Sequence, residues 1–155
     1  MSVESDKLDL TYGFRCAKDL FEKLKRDGKL LEEQVTSDRF FNFVVTAYHL
    51  CEWVQKDPQI QDRPQFPGNN SNIAICRDIT NASKHFGLNE KGRKKAVVKQ
   101  VDSKKAFGTG RFGKGAYGGG EEGIKIILEG GKVMDAIGFK NSVVDLWTSF
   151  FDKYG

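Results

Sequence analysis

The chain is poor in the residues that mark specialised chemistry. Its three cysteines, Cys16, Cys51 and Cys76, lie far apart and form no CxxC pair. Neither a disulfide framework nor a thiolate zinc cluster follows from that spacing, and three reduced, mostly buried thiols are expected. Only two histidines, His49 and His85, exist to complete a metal site, so no metal and no cofactor is expected. No apolar run approaches the ~20 residues that span a bilayer. The opening MSVESDKLDL lacks the apolar centre of a signal peptide. No membrane partner and a cytoplasmic location are the expectations. The three prolines all fall between 58 and 67 and so mark one loop. No GxxxxGK[ST] string is present, which excludes a P-loop. The one GxGxxG string, at Gly108, Gly110 and Gly113, neither follows a strand nor opens a helix, as a dinucleotide site requires.

What is present is the composition of a globular protein. Hydrophobic residues at 39% and charged residues at 30% fit a folded chain rather than a disordered one. A length of 155 residues suffices for one domain with its own core, to which twelve phenylalanines bring bulk. The net charge of +4 is unevenly spread. Residues 1–57 carry 11 acids and 9 bases, whereas 91–114 carry nine bases (Lys91, Arg93, Lys94, Lys95, Lys99, Lys104, Lys105, Arg111 and Lys114) against Asp102 alone. A cationic segment of this density either attracts phosphate backbones or is simply a solvated loop.

Periodicity predicts a mainly α (α+β) fold: a bundle of about four helices with a small antiparallel β-meander inserted before the last helix. The helical part covers 8–88, a basic and glycine-rich hairpin region 91–139, and a closing helix 141–154. The first helix spans about 11–34, with Ala17, Leu20, Phe21 and Leu24 on one face and a stop or bend at Asp27 and Gly28 before Leu30 and Leu31. The second opens at Thr36, Ser37 and Asp38, good N-cap chemistry, and runs to about 54 before Asp57 and Pro58. Apolar residues cover most of its circumference, so it should be the central, most buried helix. The third is capped by Asn70, Ser71 or Asn72, buries Ile75, Ile79, Ala82 and Phe86, and ends at Gly87 as the C′ residue. Strands follow at 96–101 and 123–129. Glu129, Gly130, Gly131 and Lys132 then turn into a strand over 133–139. Asn141 or Ser142 caps the last helix, whose apolar face is Val143, Leu146, Trp147, Phe150 and Tyr154.

Two polar faces stand out. On the third helix, Arg77, Asn81 and Lys84 lie within ~60° of one another, with His85 in the last turn, where the helix dipole favours a cation. A guanidinium, an amide, an ammonium and an imidazole can bind phosphate, or act as acid and electrostatic stabiliser in RNA cleavage by the 2′-hydroxyl. The same set also suits the solvated side of an amphipathic helix. On the second helix, Asp38, Asn42, Thr46 and His49 recur at spacings of four, four and three. On a buried helix they need partners, from an internal network, a second subunit, or Asn81 and His85 opposite. In the glycine-rich segment, Phe107, Arg111, Phe112, Lys114 and Tyr117 interleave rings with cations, the pattern of a single-stranded nucleic-acid contact or of an idle hairpin tip.

The run Ile-Cys-Arg-Asp-Ile-Thr-Asn-Ala-Ser-Lys-His resembles the signature helix of the HEPN superfamily, with Asn81 and His85 on that motif's asparagine and histidine. Thr80 stands where the motif has arginine, so Arg77, one turn earlier, offers the nearest guanidinium. The likeness covers about 40–86. FNFVVTAYHLCEWV followed by DITNASKH is also similar to small uncharacterised bacterial proteins with an Asn-x-Ser-Lys-His helix. The resemblance implies a helical bundle, often a homodimer with paired motifs forming one metal-independent ribonuclease site, in toxin–antitoxin or phage-defence settings. The expectation is therefore a HEPN-like protein that binds RNA or a phosphate-bearing ligand, either as a weak endoribonuclease or as a degenerate member that does not cut. His85 would be the acid–base group, Asn81 its orienter, Arg77 and Lys84 the phosphate clamp. Asp38, Asn42, His49, Arg111 and Lys114 would add binding contacts. No reader of DNA sequence is evident. Two other readings stay open: a non-catalytic structural or interaction module of prophage or bacterial accessory origin, and a small-molecule or nucleotide binder that closes its glycine-rich hairpin over the ligand.

Overall fold

The computed structural model describes residues 13–61, 70–88, 90–105 and 122–154. In chain order these form α1 (Ala17–Glu33), α2 (Ser37–Lys56), α3 (Ser71–Lys84), a short α4 (Glu90–Lys95), β1 (Val98–Lys105), β2 (Glu122–Leu128), β3 (Val133–Asp135) and α5 (Ala136–Tyr154). The strands make one antiparallel sheet in the order β1-β2-β3. The expected architecture, mainly α with a small meander before the last helix, is the one observed.

α2 and α3 begin where the local chemistry supplies a cap. Thr36 accepts from the Arg39 N–H at 3.1 Å, and Asn70 accepts from the N–H groups of Asn72 and Ile73. α1 starts at Ala17, later than the expected 11, after Gly13 takes φ +88. Cys16 offers no side-chain cap there; instead the buried Asp57, just past α2, accepts the Ala17 N–H at 2.8 Å. α5 starts at Ala136, not at Asn141 or Ser142, so the expected strand over 133–139 is only three residues long. Asp135 ends it by accepting the Gly138 N–H at 2.7 Å. Ala136, Phe139, Val143, Trp147 and Phe151, all buried, then keep helical spacing.

The core is shared by α1, α2, α3, β2 and α5. Ala17, Leu20, Phe21 and Leu24 are buried as expected, and so is Leu31, while Leu30 is exposed. α2 packs against α1, α3 and α5 through Phe40, Phe43, Val44, Ala47, Leu50 and Val54. Ile124 and Ile126 of β2 are buried in the same core, where β2 meets α5. α1 neither stops nor bends out of helix at Gly28. A side chain there would meet the Lys140 stem at 3.2 Å and Phe43 at 3.3 Å, so the glycine serves a close helix crossing. Lys140 itself is buried and reaches Glu32 at 2.9 Å and the Asn141 amide oxygen at 2.6 Å. That hydrogen bond and charge hold the Glu32 carboxyl below its usual range. No helix among the described residues is long and apolar enough to cross a membrane.

The end of α3 differs from expectation. Its C-cap is His85, and the Gly87 N–H bonds Ala82 O at 2.6 Å, the six-to-one bond of a Schellman ending. The left-handed C′ position of that ending is filled by Phe86, with φ +56, and Gly87 follows at φ +117. Left-handed backbone costs a side-chain-bearing residue roughly 1–2 kcal/mol. Phe86, expected in the core, is fully exposed. The buried face of α3 instead carries Ile73, Cys76 and Thr80, with Ile75 beside them, and leaves Ile79 and Ala82 half-buried.

Candidate functional site

The chemistry-bearing residues of α3 separate into two groups. In the middle of the helix, Asp78 is buried (4% exposed) and accepts from four donors. The Arg77 guanidinium gives Nη2 and Nε to Asp78 Oδ1 at 2.8 and 3.0 Å. The backbone N–H groups of Val97 and Val98 give theirs to Oδ2 at 2.6 and 3.0 Å. Arg77 Nη2 also donates to the Lys95 carbonyl at 3.2 Å. The start of β1 is thereby fastened to the middle of α3. Charge-assisted bonds of this kind, away from water, are worth more than their exposed counterparts. Tyr48 of α2 lies close enough to feel the charges of Arg77 and Asp78; burial first, then Glu52 and Cys51, pushes its phenol above the usual range.

Thr80, the residue that the resemblance sets against an arginine, is 7% exposed. Its hydroxyl is buried with no hydrogen-bond partner among the described residues. An arginine here would face the core rather than a ligand. Next to it, Cys76 and Cys51 are buried thiols, and desolvation raises both, Cys51 to about 12. Such thiols are inert packing groups rather than nucleophiles.

At the C-terminal end the situation reverses. Lys84 and His85 are exposed, Asn81 is half-buried, and none of the three has a side-chain partner among the described residues. Arg77 and His85 are separated by ~12 Å of helical rise. With its guanidinium held by Asp78 and Lys95, Arg77 does not join His85 around one phosphate. Further along the chain, Arg93 and Lys95 of α4 and Lys99 and Lys104 of β1 are exposed cations among the described residues. Among the described residues β1 pairs only with β2, slips register between Val98 and Gln100, and has no strand partner on its other edge.

The polar stripe of α2 is not buried. Asp38, Asn42 and His49 face solvent, so the internal or intersubunit network their burial would have demanded is not required. Thr46 alone is buried, and it bonds α1, not α3. Its hydroxyl donates to Asp27 Oδ2 at 2.7 Å while Lys23 Nζ donates to both Asp27 (2.6 Å) and Thr46 (3.0 Å). This triad fixes how α1 and α2 pack.

Arg111 and Lys114 lie outside the described residues, as does the GxGxxG string. Among the described residues no group of three His, Cys, Asp or Glu side chains is placed to hold a metal. Sequence reasoning missed Asp78 and misplaced Phe86. Asp78 carried one available signal: it follows Ala74 by four residues, on the buried side of α3. No protein-family model, no curated protein and no solved structure matches this chain.

Proposed function

We propose that this chain is a HEPN-like protein that binds RNA, through Lys84 and His85 at the end of α3 and the exposed cations of α4 and β1, and that it does not cut its ligand. One arrangement carries the reading. The grip of Asp78 on Val97 and Val98 holds the chain just after α4 against α3, the helix that ends in Lys84 and His85, and Arg93 and Lys95 of α4 are exposed. Exposed cations such as Lys84, Arg93 and Lys95 suit a phosphate backbone, for which exposed lysines and arginines supply most of the affinity. Cleavage by the 2′-hydroxyl needs a proton carrier and a cation on the same phosphate. The guanidinium that the HEPN motif sets beside its histidine is not available to His85, because Arg77 is engaged by Asp78 and Thr80 is turned into the core. That leaves only the flexible ammonium of Lys84 next to it among the described residues. The same Arg77–Asp78 clasp favours the second reading, a non-catalytic interaction module. The two readings part only over whether the exposed cations have an RNA ligand.

The experiment is a titration of labelled single-stranded RNA at several salt concentrations. The expected result is binding that weakens linearly in log–log form as salt rises. The Lys84→Glu, Arg93→Glu double variant should lose affinity by roughly tenfold or more, and the RNA should stay intact in long incubations. A wild-type protein that ignores RNA at low salt contradicts the binding. Cleavage that His85→Ala abolishes contradicts the absence of cutting.

A further inference from the structure

Phe86 is the most exposed large apolar side chain among the described residues, at 102% of its reference area. It also holds φ +56, while glycine, the residue suited to that conformation, comes one position later. Two costs therefore fall on one residue: an aromatic ring left in water and a left-handed backbone under a bulky side chain. Strain of this kind concentrates at ligand sites. Lys84 and His85 immediately precede the ring, and both are exposed and without side-chain partners among the described residues. Further along, the chain at Lys95 and Val97 is held against α3 by Arg77 and Asp78, with Arg93 and Lys95 exposed.

We propose that Phe86 is a stacking platform for an unpaired base, so that the ligand of this surface is single-stranded. The inference rests on the RNA-binding reading above and narrows it. Cations alone recognise phosphate. A ring held clear of the surface among them adds affinity only for a ligand that carries flat faces, and a duplex keeps its bases stacked on one another. The cations beside the ring fit a nucleotide chain better than the apolar patch of a protein partner.

The test compares oligouridine of about twelve nucleotides with an abasic RNA of equal length and with inorganic polyphosphate, each titrated against wild type, Phe86→Ala and Phe86→Tyr. Wild type is expected to bind oligouridine about tenfold more tightly than the abasic chain. Phe86→Ala should fall to the abasic level while its affinity for the abasic chain and polyphosphate is unchanged, and Phe86→Tyr should recover most of the loss. Phe86→Ala should melt no lower than wild type, because the ring buries nothing. Equal binding of all three chains by wild type overturns stacking but leaves phosphate recognition intact. Unchanged oligouridine binding by Phe86→Ala likewise overturns it, leaving the ring to a protein partner. A melting temperature lowered by several degrees in Phe86→Ala overturns the exposed placement. Binding of none of the three ligands overturns the RNA-binding reading itself.

Discussion

In the middle of α3, Arg77 and Asp78 direct their hydrogen bonds at the protein itself, to each other, to Lys95 and to the first residues of β1. Two turns later Lys84 and His85 are polar too, yet find no side-chain partner among the described residues, and Phe86 stands in water in a strained conformation. The helix is continuous and both groups are polar, so residue type does not separate them. Position does: Asp78 lies where α3 still meets the core and β1, while Lys84 to Phe86 lie beyond the last core contact of the helix. The comparison teaches that the half-buried charges serve to attach one element to another. The terminal ones are left available to a ligand.

The comparison can be broken at several points, the largest first. Asp78→Ala leaves a half-buried guanidinium and two backbone N–H groups without their acceptor, and should cost about 3–5 kcal/mol. Amide exchange at Val97 and Val98 should accelerate with it. Arg77→Ala leaves Asp78 its two backbone donors and should cost only about 1–2 kcal/mol, measured by the same denaturant unfolding. Equal losses from the two variants would mean that the carboxylate is not the hub. Thr80→Val replaces a buried hydroxyl that has no partner by a methyl of the same shape, and is expected to stabilise by about 1 kcal/mol. A loss of stability would show that the hydroxyl does useful bonding in solution. Phe86→Asn, which tolerates left-handed backbone, should gain roughly 0.5–1 kcal/mol in thermal unfolding. Smallest in effect, the thiols of Cys51 and Cys76 should react with iodoacetamide more slowly than that of the half-buried Cys16 in the native protein, since burial keeps both protonated well above neutral pH.

Much of the fold was legible because its signals are local. Thr36 and Asn70 cap by their own side chains, Glu129 to Lys132 turn through Gly131 at φ +94, and the Ala17–Leu20–Phe21–Leu24 face is a matter of spacing. The errors came where a partner distant in sequence decides the outcome. Asp57 starts α1 from forty residues away, Lys140 explains Gly28 across the bundle, and β1 converts Asp78 from a surface acid into a buried anchor. The stripe of Asp38, Asn42 and His49 was read as buried because α2 is so apolar, but α2 turns these residues to solvent and buries Thr46 alone among them. At Phe86 a one-residue offset decided the matter: with glycine at 87, the Schellman ending puts the ring, not the glycine, in the left-handed position. Asn81, Lys84 and His85 were correctly set on the accessible side of α3, and Arg77 was correctly set on its partly exposed face but not recognised as occupied.

The most direct test of the account is an NMR map of backbone amides as oligouridine is added to the wild-type protein. The account predicts that the largest shifts fall on Lys84, His85, Phe86 and Gly87, with Arg93 and Lys99 next, and that Asp38, Asn42 and His49 stay still. Shifts concentrated on the α2 stripe, or no shifts at all at low salt, would contradict it.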